Sequence, residues 1–284
     1  MADSTPAEAA GTLVIGGEHE VRRLGFGAMR ITGPGIWGPP ADRDEALAVL
    51  RRAVALGVNF IDTADSYGPD VSEELIAAAL APYPDDLVIA TKGGLLRDGP
   101  GRWRPDGRPE HLRAALEGSL SRLGVEQVTL YQLHRPDPAV PLAESVGELV
   151  TLQGEGKIRH IGLSNVTVRQ LEAAQALTPV ASVQNRFNPT DRSSDAVVAA
   201  AERDGFAFIP WAPVGGHQPG EGDALAAVAA RHGVSPVQVA LAWQLGRSPQ
   251  VLPIPGTSSV AHLEENVAAA ALALDGDDID RLAA

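Results

Sequence analysis

The sequence predicts an α/β fold, a single (β/α)8 TIM barrel preceded by an N-terminal β-hairpin. Short β-branched runs alternate with segments of three- and four-residue apolar spacing, and the runs are rich in apolar residues, as in parallel strands covered by helices. The expected strands are 24–27, 58–62, 87–91, 127–133, 158–163, 180–184, 206–210 and 251–254. The expected helices are 43–56, 71–81, 109–123, 140–154, 167–177, 192–204, 223–232 and 236–246.

The start of the chain separates a barrel from its main alternative, a doubly wound open sheet. Such a sheet usually opens with a GxGxxG turn, but here the first strand reads LGFGAMR and no helix follows directly. Residues 12–23 have the pattern of a β-hairpin that turns at Gly16 and Gly17. We therefore expect residues 1–284 to form one barrel domain, with residues 1–10 disordered.

Composition excludes several classes of function. The 23 Lys and Arg against 36 Asp and Glu give a net charge of −13, which disfavours nucleic-acid and anionic-membrane partners. The absence of cysteine removes disulfides, thiolate nucleophiles and cysteine-zinc sites. No apolar run approaches the roughly 20 residues of a membrane span. We expect a cytoplasmic protein, a monomer or weak homo-oligomer, that acts on a small molecule.

Three long Gly/Pro-rich segments follow the first, third and seventh predicted strands, at 33–40, 97–108 and 213–222. In a barrel all three lie at the carboxyl ends of the strands, where barrel active sites are found. The first two carry Trp37 and Trp103. These residues and Met29 are expected to wall an apolar substrate pocket.

Polar residues end three consecutive strands, namely Asp62 and Tyr67 after the second, Lys92 after the third and His134 after the fourth. Lys92 is one of only two lysines, against 21 arginines. An ammonium lowers the pKa of a neighbouring phenol, a carboxylate keeps that ammonium charged, and an imidazole can hydrogen-bond the same substrate oxygen. The group therefore predicts a general acid acting on a carbonyl, with hydride supplied by a nicotinamide cofactor.

The later strands end in residues of a different kind. Ser164, Asn165 and Gln184 offer a hydroxyl and amides that suit a carboxamide, and Trp211 offers a flat face for a nicotinamide ring. After the eighth predicted strand, Thr257 and the serines that follow it open one more helix, whose N-terminus attracts phosphate. Simple helix capping would explain any single one of these hydroxyls as well.

These motifs resemble the aldo-keto reductase family. The matching segments are NFIDTADSYG, ATKGG, YQLHRPDP, GKIRHIGLSN, SVQNRFN, IPWAPVGG and IPGTSSVAHLEEN. The resemblance implies NADPH-dependent carbonyl reduction with Asp62, Tyr67, Lys92 and His134 as catalytic residues. It also implies that NADPH is bound by Ser164, Asn165, Gln184, Trp211, Ala212, Pro213, Val214, Gly215, Gly216, Pro255, Gly256, Thr257, Ser258, His262, Glu265 and Asn266.

The sequence departs from the family pattern in the cofactor segment. Where many members place a Lys and an Arg around the 2′-phosphate, this chain has Gly256 and His262. The preference for NADP over NAD is therefore left to Thr257, Ser258 and the helix N-terminus. The stacking position holds Trp211 where Tyr is commoner.

Three further hypotheses concern the substrate and the class of function. The segment GAMRITGPGIWGPPADRDEA, with SNVT and PVGG, looks like a bacterial branch that includes pyridoxal reductases and so suggests a small aldehyde. A slow-turnover NADPH-binding regulatory subunit is the alternative from a non-enzyme class. A metal-dependent hydrolase is disfavoured and no metal site is expected, because the seven histidines show no HxH or HxxxH spacing.

Overall fold

The computed structural model describes residues 5–213 and 223–283. The strands are β1 (Thr12–Ile15), β2 (His19–Arg22), β3 (Phe26–Gly27), β4 (Phe60–Asp62), β5 (Val88–Gly93), β6 (Leu95–Gly99), β7 (Arg102–Pro105), β8 (Val128–Leu133), β9 (Ile158–Ser164), β10 (Ser182–Gln184) and β11 (Ala207–Phe208). The helices are α1 (Arg43–Ala55), α2 (Val71–Leu80), α3 (Pro109–Leu123), α4 (Leu142–Gly154), α5 (Val168–Gln175), α6 (Asp195–Asp204), α7 (Ala224–His232), α8 (Pro236–Arg247), α9 (Val260–Ala268) and α10 (Gly276–Ala283). Within these described ranges, no helix is both long enough and apolar enough to cross a membrane.

Seven parallel strands form one sheet in the order β11-β10-β9-β8-β5-β4-β3. Residues 251–255 close it into a barrel, because Val251 pairs in parallel with Phe208 and the Gly25 amide donates to the Pro253 carbonyl at 2.9 Å. The predicted eighth strand is therefore in place, although it is reduced to a single bridge on one side. The predicted (β/α)8 barrel is confirmed.

The N-terminal hairpin closes one end of the barrel. β1 and β2 pair antiparallel, with positive φ at Gly16 and Gly17 in the turn, as the sequence predicted. Leu13, Ile15 and Val21 of the hairpin pack in one apolar cluster with inward-facing strand residues, Phe60, Val88, Ala90, Leu130, Ala181, Ala207, Ile209, Leu252 and Ile254. The interior of the barrel at this end is therefore filled by apolar side chains.

The structure differs from the sequence-based expectation at both the amino terminus and the second mouth segment, 97–108. Residues 1–10 were expected to be disordered, but Pro6–Ala10 form a 3₁₀ helix in which the buried Ala7 donates its amide to Leu56 at 3.1 Å. The expectation is therefore wrong for those residues. Segment 97–108, expected to be a loop, instead contains the second strand of the antiparallel β6–β7 hairpin.

Candidate active site

Four polar side chains converge at the carboxyl ends of β4, β5 and β8. Asp62 ends β4, Tyr67 lies in the turn that follows it, Lys92 lies in β5 and His134 follows β8 directly. The Lys92 Nζ lies 2.7 Å from Asp62 Oδ2, 2.8 Å from the Thr63 carbonyl oxygen and 3.3 Å from the Tyr67 hydroxyl. All four side chains are buried. We refer to Asp62, Tyr67, Lys92 and His134 as the tetrad.

Lys92 is held charged inside the barrel. Burial opposes the charge on the ammonium, but the Asp62 carboxylate and the Tyr67 hydroxyl outweigh it and raise the pKa of Lys92. The other oxygen of Asp62 accepts from Gln184 Nε2 at 2.8 Å and from Gln132 Nε2 at 3.2 Å. Three donors therefore fix the carboxylate, and the carboxylate fixes the ammonium beside the phenol.

The phenol and the imidazole are both neutral at physiological pH. Burial raises the pKa of Tyr67, and the Lys92 ammonium offsets part of that rise. Burial lowers the pKa of His134 well below its usual value, and the positive charges of Lys92 and Arg135 add to the effect. The imidazole Nδ1 lies 3.3 Å from the Ser66 hydroxyl. Tyr67 thus holds a proton to donate, and His134 is an uncharged hydrogen-bonding group next to it.

The amides predicted to meet the carboxamide are linked to the tetrad and to each other. Asn165, with φ of 58°, donates through Nδ2 to the His134 carbonyl at 3.0 Å and to the Ser164 hydroxyl at 2.9 Å. Its Oδ1 accepts from the Trp211 indole at 3.2 Å. The amide nitrogen of Gln184 is bonded to the tetrad carboxylate, which leaves its carbonyl oxygen to accept from a ligand. Asn165 therefore orients the indole, while within 5–213 and 223–283 the Gln184 carbonyl oxygen and the Ser164 hydroxyl proton have no bonding partner.

The segment after Trp211 is anchored by two side-chain amides. Asn188 donates to the Ala212 carbonyl at 3.1 Å, and Gln244 donates to the Pro213 carbonyl at 2.9 Å. These bonds place the beginning of the predicted pyrophosphate segment beside the indole. The other residues predicted for that segment lie outside the described part of the chain: Val214, Gly215 and Gly216.

The second predicted cofactor segment begins at the seam of the barrel. The Pro255 carbonyl accepts from the Gly27 amide at 3.3 Å, and the buried Thr257 hydroxyl accepts from the Ser259 amide at 3.1 Å. Its hydroxyl therefore turns the chain into α9. Of the other predicted residues of this segment only Asn266 is buried, the rest being exposed or half-buried: Gly256, Ser258, His262 and Glu265.

A carboxylate that sequence analysis missed lies at the start of α9. Glu45 of α1 accepts a hydrogen bond from the Val260 amide through Oε1 at 3.0 Å. The helix N-terminus predicted to attract phosphate is thus already partly compensated by a negative charge. No pattern in the sequence could have shown this, because the two helices meet only in the closed barrel.

The predicted pocket residues lie at the mouth, and Trp103 is nearest the tetrad. Its ring centroid is 6.3 Å from that of Tyr67 and 6.4 Å from that of His134, both in edge-to-face geometry. Trp37 is 38% exposed and pairs through its backbone with Gly68. Met29 is half-buried in the 3₁₀ helix Ala28–Ile31.

Arg97 connects three segments of the barrel mouth through hydrogen bonds and stacking. Sequence analysis did not single out this residue. Its guanidinium carbon lies 3.7 Å from the Trp103 ring centroid. It donates to the carbonyl oxygens of Ile36 at 2.6 Å, Gly35 at 2.8 Å and Ser66 at 2.9 Å. The β6–β7 hairpin, the first mouth segment and the turn that carries the tetrad tyrosine are therefore held by one side chain.

A closed parallel barrel with a carboxylate, phenol, ammonium and imidazole at its strand ends defines the class of this protein. The chain belongs to the aldo/keto reductase family, whose model matches residues 23–284. The resemblance predicted from the motifs is confirmed.

Named relatives and solved structures cover nearly the whole chain. It is 50% identical over 277 residues to an uncharacterized oxidoreductase of Schizosaccharomyces pombe, covering 97% of this chain and 90% of the relative. It is 45% identical over 273 residues to pyridoxine 4-dehydrogenase of Escherichia coli, with 94% and 95% covered. Glycerol dehydrogenase of Gluconobacter oxydans superposes with a TM-score of 0.85 at 27% identity, covering 96% and 94% of the two chains. An aldo/keto reductase of Klebsiella pneumoniae, solved with NADP and acetate, gives 0.78 at 26% identity, with 95% and 93% covered.

Proposed function

We propose that this protein is an NADPH-dependent reductase that converts an aldehyde or ketone carbonyl to an alcohol. The observation that carries the proposal is the buried chain from Asp62 through Lys92 to Tyr67, with the neutral His134 beside it. A protonated phenol next to a charged ammonium is a proton donor, and it lies where substrate meets the barrel mouth.

The residues at the ends of β9, β10 and β11 fit a nicotinamide nucleotide. Gln184 and Ser164 have a carbonyl oxygen and a hydroxyl left for a carboxamide, and the Trp211 indole is held in one orientation by Asn165. The NADP found in the Klebsiella pneumoniae relative supports the same ligand here. When bound, NADPH supplies a hydride for the carbonyl carbon.

The tetrad handles the accompanying proton. Tyr67 donates its hydroxyl proton to the substrate oxygen as negative charge develops there, so that hydride and proton together make the alcohol. The Lys92 ammonium, 3.3 Å from the hydroxyl, stabilises the tyrosinate that remains, and Asp62 keeps the ammonium in place. His134 hydrogen-bonds the same substrate oxygen and fixes its position.

Pyridoxal is the aldehyde that we propose to test first. Two observations support it: the 45% identity to pyridoxine 4-dehydrogenase, and the presence of the aromatic side chains of Trp103 and Trp37 at the mouth. An aromatic aldehyde can stack on such side chains. Substrate choice depends on the mouth segments, so the family membership alone leaves other small carbonyl compounds as candidates.

The experiment follows loss of reduced-nicotinamide absorbance with NADPH and NADH in parallel, against a panel that contains pyridoxal and other aromatic and aliphatic aldehydes. We expect turnover with NADPH and a loss of about 10²–10⁴-fold in kcat for Tyr67→Phe, with nucleotide binding retained. Tyr83→Phe is the matched control, because the Tyr83 hydroxyl donates to the Leu123 carbonyl at 2.6 Å, away from the tetrad. Near-normal turnover in Tyr67→Phe would contradict the mechanism. Nucleotide binding without turnover on any carbonyl would support a regulatory subunit instead.

A further inference from the structure

Three metal-ligating side chains meet at the closed end of the barrel, away from the tetrad. Glu18 and His19 lie at the turn of the N-terminal hairpin, and His160 lies near the start of β9. Glu18 Oε1 is 2.8 Å from His160 Nε2 and 4.0 Å from His19 Nε2, and the three ligand atoms all lie within 4.8 Å of one another. The two imidazole rings are 5.3 Å apart and nearly perpendicular, at 79°.

The Nε2 atoms of His19 and His160 are buried without hydrogen-bond partners among the described residues. Among the described residues, neither His19 Nε2 nor His160 Nε2 has a hydrogen-bond partner of good geometry, although Glu18 lies close to both. A buried polar nitrogen without a partner loses the free energy of its hydration and needs an explanation. A metal ion bound by both nitrogens would satisfy them at once.

The backbone of the hairpin turn is shaped around His160. A Cβ atom at Gly16, where φ is +62°, would lie 2.1 Å from Cε1 of the His160 ring. Only glycine allows the turn to approach the imidazole this closely while keeping positive φ. The turn therefore brings Glu18 and His19 onto the ring and keeps them there.

The surroundings are negatively charged, which favours a cation. A cavity of about 540 Å³ adjoins the cluster, and besides His19 and uncharged side chains its lining has five carboxylates and one guanidinium: Glu8, Glu18, Glu20, Asp85, Asp86 and Arg22. Cations concentrate in concave regions lined by charges of the opposite sign.

We propose that Glu18, His19 and His160 bind a divalent transition-metal ion, with Zn²⁺ as the ion to test. Two imidazole nitrogens and one carboxylate oxygen form a ligand set that zinc uses in proteins, with water in the fourth position. The ion would join the hairpin to β9 at the closed end of the barrel. His160 lies near the start of β9, whereas Ser164 lies at the other end of the strand, at the barrel mouth. The ion therefore stabilises the fold and takes no part in the reaction at the mouth.

One cation already competes for the carboxylate. Arg159 donates to Glu18 through Nε at 2.6 Å and Nη2 at 2.7 Å. Its side chain is 52% exposed, so it can turn into solvent when an ion binds. Removing Arg159 should therefore strengthen metal binding, which a purely structural ion pair would not predict.

The test uses full-length protein purified without a polyhistidine tag and stripped with a chelator. Zn²⁺ is titrated against a chromophoric competitor, and Co²⁺ is added separately to record the visible absorption of a tetrahedral site. We expect one equivalent to bind, and His19→Gln, His160→Gln and Glu18→Gln each to weaken binding by about tenfold or more. Arg159→Gln should tighten it. His111→Gln is the matched control, because His111 is another half-buried histidine, in α3.

A second readout keeps the test independent of enzyme activity and of folding defects. At one Zn²⁺ concentration, the Tm of the wild type and of His111→Gln should rise more than that of Glu18→Gln, because a ligand stabilises the folded state more the more tightly that state binds it. Glu18 lies in an exposed turn, so this variant should fold even if His160→Gln does not. No binding by the wild type, or equal binding by all variants, would overturn the proposal.

Discussion

Replacing Arg97 with glutamine should loosen the mouth of the barrel, while the ion pair of Lys92 with Asp62 beneath it stays intact. Arg97 holds the carbonyl oxygens of Gly35, Ile36 and Ser66 and stacks on Trp103, so four contacts depend on one guanidinium. Glutamine cannot reach all of these partners. The first mouth segment and the β6–β7 hairpin should then open more often, while the strands beneath them stay closed.

The size of the effect follows from the contacts. A hydrogen bond from a charged donor contributes roughly 1.5–3 kcal/mol, and the bonds to Ile36 and Ser66 are partly buried whereas the bond to Gly35 is exposed. Taking the lower value for the two buried bonds gives about 3 kcal/mol, and the stacking on Trp103 adds about 0.5–1 kcal/mol. Since about 1.4 kcal/mol is a factor of ten, local opening should become about 10²–10³-fold more frequent.

Hydrogen exchange measured by mass spectrometry reports this opening directly. The Ile36 amide donates to the Gly33 carbonyl at 3.0 Å, and the Gly38 amide donates to the Gly68 carbonyl, so a peptide covering 33–38 carries protected amides. Amide exchange in this peptide should accelerate by about 10²–10³-fold, because the exchange rate is proportional to the equilibrium constant for local opening. The KM for the aldehyde should rise as the Trp103 wall shifts, with nucleotide affinity unchanged.

Two variants separate this explanation from a general loss of charge. Arg97→Lys keeps the positive charge but lacks the planar fork, so its exchange should be intermediate. Arg104→Gln, on the same hairpin, removes an exposed pair with Asp98 and should change little. Wild-type exchange at 33–38 in Arg97→Gln would refute the reasoning, because it would mean that the three carbonyl contacts do not hold the mouth.

Three further predictions concern buried charge, cofactor choice and packing. Burial raises the pKa of Asp65 to about 8, and the nearby Glu73 carboxylate adds to the rise. Between about pH 4 and pH 8 the folded protein therefore keeps a proton on Asp65 that the unfolded chain has lost. As the pH rises through this range, the stability of the wild type should fall relative to that of Asp65→Asn, by at most about 1.4 kcal/mol per pH unit. Urea unfolding at pH 5 and pH 8 measures this, and a difference independent of pH would contradict it. Glu45→Gln, which keeps an acceptor for α9 but removes the charge, should increase the affinity for NADPH more than for NADH in fluorescence titrations; an equal change for both would count against a phosphate at that helix end. Gly93→Ala places a Cβ 2.1 Å from the Tyr131 hydroxyl and should destabilise the protein by about 1–3 kcal/mol in thermal unfolding. Gly147→Ala in α4 is the control, because a Cβ there would have no described atom within 4 Å.

The tetrad illustrates what the sequence could predict. Asp62, Lys92 and His134 stand out because each is polar at the end of an apolar run, and consecutive parallel strands bring such ends together. Trp103 could be placed at the mouth because its segment follows a strand. The strands and the N-terminal hairpin could be predicted from the same alternation, because hydrophobic periodicity is local information.

The features that sequence analysis missed depend on contacts made only after folding. Arg97 is one of 21 arginines, and its partners are backbone carbonyls that carry no sequence signal. Glu45 meets the end of a helix from the opposite end of the chain. Gln132 and Gln184 are assigned to the tetrad carboxylate only by register across the sheet. The β6–β7 hairpin was missed because glycine and proline outweighed its short alternating strands.

The seam of the barrel has a consequence for how the chain is made. Arg23, just before β3, donates to the carbonyl oxygens of Leu245 and Ser248, which lie 222 and 225 residues further along. During synthesis, β3, β4 and β5 can pair as they leave the ribosome, but their last neighbour does not yet exist. The nascent protein is then an open sheet, and its unpaired edge strands can pair with strands of other chains. Both edges are removed together only when residues 251–255 have been made and pair with β3 and β11.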